Sequence, residues 1–148
     1  MSAVGEPGGL LVVAEYPGAE EDRKGEPLCG DSGRFIRKLV QTHWRGPFAL
    51  DYSVRCAKGR EKLPTNSVDQ CRGYLLQTIK EVRPQRILAM GSTALMSFFG
   101  EALQPLSMRK SVAWLLDPND TNNPDAALIP VFLFPNPVMG VRNRFVRR

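Results

Sequence analysis

Four short apolar runs, separated by polar or amphipathic stretches, constrain the fold of this chain more than any other feature. They cover residues 10–15, 50–56, 86–90 and 128–134, and each has the length of a strand buried in a parallel sheet. The segments between them place apolar residues at spacings of three or four, which is typical of helices packed on a sheet. The alternating order predicts an α/β three-layer sandwich, a four-stranded parallel sheet with helices on both faces.

Start signals mark two of the predicted helices. The segment Arg34–His43 places its apolar residues on one face, and Asp31 or Ser32 is available as its cap. Ser67 and Gln70 form a capping-box pattern, in which each side chain satisfies a free backbone donor of the other residue. Both segments therefore predict helices that follow strands, as the alternation requires.

The length of 148 residues suits one compact domain, so we expect residues 1–148 to form a single domain. Residues 1–8 are rich in Gly and Pro and are expected to be loose. Residues 104–116 favour neither helix nor strand, and residues 138–148 predict a basic C-terminal helix. No apolar run has the length of a membrane span and no leader pattern is present, which predicts a cytoplasmic protein with no membrane partner.

The net charge and the spacing of the cysteines limit the functions that this chain can have. A net charge of +5 fits a nucleic-acid partner, and a solvated basic surface is the equal alternative. The single histidine, His43, lies in a helical stretch and is interpreted as structural. Three cysteines, Cys29, Cys56 and Cys71, form neither a CxxC pair nor a zinc-binding spacing, so a disulfide framework and a metal site are not expected.

Ligands of open parallel sheets bind beyond the carboxyl ends of the strands, and the strand ends here carry several motifs. They are AEYPGAEEDRKGEPLCG at 14–30, VRC at 54–56 followed by CRGYL at 71–75, RPQRILAMGSTA at 83–94 and FPNPVMGVRN at 134–143. In this order and spacing they resemble the uracil-DNA glycosylase superfamily, closest to its iron–sulfur or family 4 branch. The resemblance implies an α/β sandwich that binds DNA and removes a flipped base.

Three residues lie at positions that the resemblance identifies as catalytic, two of them matching the family and one replacing its residue. Glu15 and Glu21 match acidic positions, where a carboxylate stabilises the cationic sugar or orients water. For Glu21 a solvated acidic face shared with Glu20 and Asp22 is the equal alternative. Asn136 replaces the family histidine that donates to the developing negative charge on uracil, and it also resembles the Pro-Asn-Pro motif of mismatch-specific uracil/thymine glycosylases.

The base pocket implied by the resemblance is substituted at three positions. Tyr16 stands beside the Pro-Gly turn, where the iron–sulfur branch has a small residue. Leu28 replaces the phenylalanine that stacks on uracil, and it lacks an aromatic face. Tyr52 aligns with the asparagine that recognises the uracil edge, which removes a bidentate amide.

The positions expected to bind DNA match the family motifs better than the base-pocket positions do. The turn after the third predicted strand offers backbone donors to a phosphate, with a plain capped helix as the alternative. The segment after the fourth predicted strand contains a wedge-like loop and a basic stretch that neutralises phosphates, with a bare basic tail as the alternative. The residues predicted to contact DNA are Gly91, Ser92, Pro137, Val138, Arg142, Asn143 and Arg144.

The iron–sulfur cluster of the resembled branch is not expected, and no other cofactor or metal is predicted. Its four cysteine ligands include a CxxC ahead of the first strand, and residues 1–9 contain no cysteine. Cys56 and Cys71 match the two remaining ligands and are interpreted as buried thiols.

These observations favour a DNA-binding protein of the superfamily with a substituted base pocket, catalytically silent or re-specialised. The alternative is an active DNA N-glycosylase that excises uracil or a modified or mismatched pyrimidine. A third hypothesis, a related fold recruited to another ligand without DNA contact, fits the C-terminal arginines less well. The expected partner is single- or double-stranded DNA, with a protein as a second candidate partner, in the nucleoid of a bacterial or phage-infected cell.

Overall fold

The structure, a computed structural model, describes residues 3–55, 67–99, 112–116 and 128–134. The strands are β1 Val4–Gly5, β2 Leu10–Ala14, β3 Phe48–Tyr52, β4 Arg86–Met90, β5 Val112–Leu116 and β6 Leu128–Phe134. The helices are α1 Ala19–Lys24, α2 Asp31–His43, α3 Ser67–Val82 and α4 Ser92–Phe99.

The six strands of the described ranges belong to one sheet with the order β1-β3-β2-β4-β6-β5. The central strands β3, β2, β4 and β6 are mutually parallel, which confirms the predicted four-stranded parallel sheet. The edge strands β1 and β5 pair antiparallel with β3 and β6, and the sequence did not predict them as strands. Antiparallel edge strands on an otherwise parallel sheet are common in α/β folds.

Two apolar cores cover the two faces of the sheet and give it three layers, as predicted. One core joins alternate strand residues to α3 and α4, and its members include Leu11, Val13, Leu75, Ile79, Ile87, Ala94 and Val131. The other joins the intervening strand residues to α2, and its members include Leu10, Val12, Leu28, Ile36, Val40, Leu50, Tyr52 and Met90. The alternation follows from the pleat, because successive side chains of a strand point to opposite faces.

Strand β3 ends earlier than the predicted run 50–56. Beyond Tyr52 the backbone N–H groups of Ser53 and Val54 donate to the carbonyl oxygens of Ala14 and Glu15, at 2.8 and 2.9 Å. These bonds hold the segment after β3 against the carboxyl end of β2. The two strand ends are therefore fixed beside each other, where a ligand pocket is expected.

The N-terminal residues and the helix starts differ from the sequence predictions. Residues 4–5 form β1 within the stretch expected to be loose, and Glu6 donates its N–H to the Phe48 carbonyl at 2.9 Å. The N-cap of α2 is Gly30 without a side-chain cap, not Asp31 or Ser32. The short helix α1 lies within the first motif, where no helix was predicted from the sequence.

No helix within the described ranges is long and apolar enough to span a membrane. The basic helix predicted for residues 138–148 lies outside the described residues.

Candidate base pocket at the carboxyl ends of the strands

A pocket of about 260 Å³ opens at the carboxyl ends of β2 and β3 and beside the N-terminus of α2. It lies just below the roughly 300 Å³ at which pockets for drug-sized ligands begin, a size suited to one small ring system. Five predicted site residues line it: Glu15, Tyr16, Glu21, Leu28 and Tyr52. The structure therefore brings together both carboxylates and all three pocket substitutions inferred from the sequence.

The Glu21 side chain is buried, with 6% of its surface exposed. Its Oε1 atom accepts a hydrogen bond from the Gly30 N–H at 3.1 Å. A Cβ atom placed on Gly18 would lie 2.8 Å from Glu21 Oε2, and one placed on Gly30 would lie 3.1 Å from Glu21 Oε1, so a side chain at either position would press on this carboxylate. Glu21 thus ties the Pro-Gly turn to the start of α2 at the wall of the pocket.

A solvated acidic face was the alternative hypothesis for Glu21, but only its neighbours Glu20 and Asp22 form such a face. Glu20 and Asp22 are exposed, as expected for acids in the first turn of a helix. Glu20 pairs with Arg23 at 3.0 Å and Lys24 at 3.6 Å, and the hydrogen bond from Arg23 lowers the pKa of Glu20. Only Glu21 turns inward.

Leu28 has a left-handed backbone, with φ of 56°, although it is neither Gly nor Asn. Such a conformation costs about 1 to 3 kcal/mol and persists only where the surroundings hold it. Its N–H donates to the Tyr52 hydroxyl at 3.3 Å, and its carbonyl accepts from Arg37 Nε at 3.3 Å. A methyl group on Gly33 would collide with the Leu28 backbone. We name this set of contacts the Leu28 clamp.

Arg37 extends the clamp to the preceding residue, because its Nη2 atom donates to the Pro27 carbonyl at 2.9 Å. The Leu28 side chain is only 4% exposed and belongs to the core beneath α2. Leu28, which the sequence predicts to replace the stacking phenylalanine, is therefore a clamped and buried leucine.

Tyr52 is also buried, with 3% of its surface exposed. Burial raises the pKa of Tyr52 to about 12, so the hydroxyl is neutral at physiological pH. Its oxygen accepts from the Leu28 N–H, which leaves its own proton available for donation. Tyr52 therefore presents a single neutral hydroxyl where an amide would present a donor and an acceptor side by side.

Glu15 lies against the turn that follows β4. Gly91 has a φ of 90°, and a methyl group there would collide with the Glu15 carboxylate. The Gly91 N–H donates to the Phe134 carbonyl at 2.8 Å, within the sheet. The Gly91 N–H is therefore engaged within the sheet, and a DNA contact by the Gly91-Ser92 turn stays a prediction. The carboxylate next to this helix N-terminus also opposes an anion there.

A buried polar network beneath the pocket was not predicted. Asp51 has no exposed surface and accepts hydrogen bonds from Thr78 Oγ1 at 2.7 Å and Arg55 Nη2 at 3.2 Å. Its Oδ1 atom also accepts from the Tyr52 N–H at 2.7 Å. The Arg55 guanidinium in turn lies 4.7 Å from the centre of the Tyr74 ring. This network fixes the backbone at Tyr52 to α3, and the lone Asp within an apolar strand is the sequence signal for it.

The residues present do not fit an iron–sulfur cluster. Such clusters are held by four cysteine thiolates, and the 148 residues contain three cysteines. Cys29 and Cys71 are free thiols of intermediate exposure, whereas Cys71 was predicted to be buried. No group of three or more potential metal ligands occurs in the part of the chain that the structure describes.

The remaining predicted residues lie outside the described ranges or mark an element boundary. Ser92 begins α4. Those outside the described residues are Cys56, Asn136, Pro137, Val138, Arg142, Asn143 and Arg144.

Comparison with known proteins decides the family. A family profile described as the Uracil DNA glycosylase superfamily matches residues 6–146. The chain belongs to this superfamily. The match includes the pocket, both neighbouring strand ends and the C-terminal motif at 134–143. The motif resemblance and the fold class inferred from the sequence are thereby confirmed.

Curated relatives place the chain near the family 4 branch. A Type-4 uracil-DNA glycosylase of Pyrobaculum aerophilum is 32% identical over 104 residues, which are 66% of this chain and 53% of that protein. Proteins with the same name from Thermotoga maritima and Archaeoglobus fulgidus are 33% and 28% identical over 93 residues each. These matches cover 61% of this chain in both cases, and 48% and 47% of the two proteins. The chain thus spans about half the length of the curated relatives it matches.

Proposed function

We propose that this protein is a DNA-binding member of the uracil-DNA glycosylase superfamily whose substituted base pocket excises uracil weakly or not at all. The observation that carries the proposal is Tyr52, a buried tyrosine whose hydroxyl is engaged by the Leu28 N–H. It occupies the position at which the resembled family recognises the edge of uracil.

Recognition of uracil requires a donor for its O4 and an acceptor for its N3–H, placed side by side. A side-chain amide supplies both, whereas a neutral hydroxyl has one proton to donate. In Tyr52 the oxygen already accepts one hydrogen bond, so the group contributes mainly as a donor. A site built for a bidentate contact discriminates strongly, and its loss removes most of that discrimination.

Catalysis loses support at two further positions. Cleavage leaves negative charge on uracil, and loss of one positioned donor typically costs about a hundred- to a thousandfold in rate. Asn136 stands where the family has its histidine donor, and Leu28 offers no ring for stacking. These effects are not additive, yet each of them disfavours uracil release.

Binding to DNA is supported by charge and by family membership. The net charge of +5 includes Arg142, Arg144, Arg147 and Arg148 near the C-terminus. Such residues neutralise phosphates and release counterions, which makes binding salt-dependent and largely independent of sequence. On this proposal the protein is one domain that acts on DNA, single- or double-stranded, in the nucleoid of a bacterial or phage-infected cell. A protein partner is compatible with the same role.

One observation favours the alternative, an active N-glycosylase with altered base preference. The pocket keeps Glu15 and Glu21 among its lining residues, and a carboxylate there can stabilise the cationic sugar or orient water. The protein would then be re-specialised and not silent.

Cleavage assays on oligonucleotides separate these functions. The substrates carry uracil, hypoxanthine or a modified pyrimidine, each in single and double strands, and DNA binding is measured on the same strands. The proposal predicts salt-dependent binding with little or no uracil release. Brisk uracil release that Glu21→Ala or Asn136→Ala abolishes would contradict it and establish an ordinary glycosylase with an unusual pocket.

A further inference from the structure

The sheet has a second end, opposite the pocket, where the chain enters its parallel strands. The Leu10 N–H donates to the Pro47 carbonyl at 3.1 Å, and the Gln85 N–H donates to the Gly9 carbonyl at 2.8 Å. These bonds hold the starts of β2, β3 and β4 side by side, and α2 and α3 end just before β3 and β4. Because β2 has five residues, about 17 Å separate this end from the pocket.

Several exposed residues at this end are basic. His43 and Lys80 lie in the last turns of α2 and α3, where a basic residue interacts favourably with the negative end of the helix. Arg45 and Arg86 are also exposed, but they lie outside the helices. The helix ends therefore give no reason for these two arginines.

The arginines at this end are not neutralised by acidic neighbours. Within the described ranges, no ion pair involves Arg45, Arg83 or Arg86. Glu6 and Glu81 are exposed acids at the same end, and they pair with none of the three. The three guanidinium charges are therefore open to a partner from solution.

Arg83 has a left-handed backbone, with φ of 48°, directly after α3. Its N–H donates to the Ile79 carbonyl at 3.0 Å and closes the last turn of the helix. Glycine is the usual residue at such a helix end, because a side chain there has a steric cost. The Arg83 side chain is exposed, and none of the hydrogen bonds within the described ranges involves it and offsets that cost. An arginine held in this conformation points to a use outside the fold.

Trp44 follows α2 and lies half-buried at the same end. Its Nε1 atom donates to the Pro47 carbonyl at 3.0 Å, which fixes the ring against the start of β3. The exposed Arg86 guanidinium lies 5.6 Å from the centre of the ring, a cation–π contact. Aromatic rings and guanidinium planes are the groups on which proteins stack unpaired bases.

We propose that Trp44, Arg45, Arg83 and Arg86 form a second DNA-binding surface, one that prefers single strands. We name it the amino-end surface. An unpaired base stacks on the Trp44–Arg86 pair, while Arg45 and Arg83 bind the flanking phosphates. This inference goes beyond the proposed function, which assigns DNA to the pocket and to the basic C-terminal residues.

The combination of an aromatic ring with unpaired arginines favours a single strand over other anionic partners. In a duplex the bases are stacked on each other, so only the phosphates would be available to this surface. A single strand presents a flat base beside each phosphate, which matches both parts of the surface. An acidic protein segment would match the arginines but leave the Trp44–Arg86 pair unused.

The fluorescence of Trp44 tests the stacking directly. The chain has two tryptophans, so Trp114→Phe leaves Trp44 as the only one. A strand of about twelve thymidines should quench this fluorescence, because a stacked base quenches an indole, and a blunt duplex should quench it much less. Arg86→Ala in the same background should reduce the quenching by the single strand at least about twofold.

The affinity for a labelled single strand, measured by fluorescence anisotropy over a range of salt concentrations, tests the phosphate contacts. Arg45→Ala should weaken binding about threefold at low salt and flatten the log–log salt dependence by about 0.7, the value for one contact on a single strand. Lys38→Ala is the matched control, since it removes the same charge from an exposed position within α2 and should change neither quantity.

Arg83→Gly separates binding from folding. Glycine adopts the left-handed conformation without the steric cost, so this variant should raise Tm by about 2 to 4 °C. It should also weaken single-strand binding about threefold, because one phosphate contact is lost. Loss of structure cannot explain weaker binding by a more stable protein.

Unchanged affinity in Arg45→Ala and Arg83→Gly, with Trp44 fluorescence insensitive to the strand, would overturn the inference. If replacement of Arg142 and Arg144 abolished DNA binding in the same assay, the proposed function would stand and only the amino-end surface would fail. Displacement of the strand by a polyglutamate peptide that quenches Trp44 equally would assign the surface to an acidic protein and would also overturn the inference.

Discussion

Replacing Tyr52 with phenylalanine removes a single oxygen atom from the Leu28 clamp and keeps the ring in the core. The Leu28 N–H then loses its acceptor in a buried position, which typically costs about 1 to 3 kcal/mol. Because the bond is long, at 3.3 Å, we expect a value near the lower end, about 1 kcal/mol. In a domain of this size that corresponds to a fall of about 2 to 4 °C in Tm.

The effect of Tyr52→Phe on stability also depends on pH, and at high pH the substitution should stabilise the protein relative to the wild type. Tyrosine ionises near pH 10 in the unfolded chain, whereas burial raises the pKa of Tyr52 to about 12 in the folded protein. Above pH 10 the unfolded state releases its proton first, so the wild-type protein loses stability as the pH rises towards 12. The loss from this group reaches about 3 kcal/mol, and phenylalanine does not incur it. The stability advantage of the wild type should therefore shrink above pH 10 and reverse by pH 12.

Urea unfolding of the wild type and the variant between pH 8 and 12 measures both effects, because other titrating groups cancel in the difference. Tyr74→Phe is the control, since Tyr74 is 55% exposed and loss of its hydroxyl should change stability by less than about 0.5 kcal/mol at every pH. If Tyr52→Phe is as stable as the wild type at pH 8 and their difference stays flat to pH 12, the hydroxyl does not hold Leu28.

Three further experiments test the other parts of the account. Gly33→Ala should destabilise the protein by more than about 2 kcal/mol through a collision with the clamp, whereas Gly73→Ala, in open space on α3, should stabilise it by about 0.5 kcal/mol; equal effects in thermal unfolding would contradict the clamp. Asp51→Ala removes a fully buried carboxylate that accepts from Arg55 and Thr78, and it should cost about 3 kcal/mol in urea unfolding; a neutral result would show that the network is not structural. Replacing Arg142 and Arg144 with alanine should flatten the log–log salt dependence of DNA binding by roughly one to two units, and an unchanged slope would exclude this segment as the contact.

The central sheet was predictable because a strand that is buried on both faces has a continuous apolar sequence. The runs that became β2, β4 and β6 are apolar over most of their length, so their periodicity alone identified them. The edge strands lack such an apolar run. Strand β1 has two residues, both exposed, and it exists only because the edge of β3 is available for pairing. Strand β5 forms by antiparallel pairing with β6, a contact that local sequence does not encode.

The pocket was predictable in its membership but not in its geometry. Motif positions identified Glu15, Glu21, Leu28 and Tyr52 as neighbours, since the resemblance places all four in the base pocket at the strand ends. The clamp depends on Arg37, nine residues beyond Leu28, whose exposed position on α2 gives no sign of its two carbonyl contacts. Likewise, a glycine after a strand indicates a turn, but it does not tell which carbonyl its N–H will find.

The measurement that tests the central claim most directly is the single-turnover rate of uracil release by the unmodified protein and by the variant Leu28→Phe, Tyr52→Asn, Asn136→His. With enzyme in excess over a uracil-containing oligonucleotide, the account predicts little or no release by the unmodified protein. The variant should release uracil at least about a hundredfold faster, because stacking, edge recognition and the donor to the anion are restored together. Rapid release by the unmodified protein, with no gain in the variant, would contradict the claim that these three residues close the pocket to uracil.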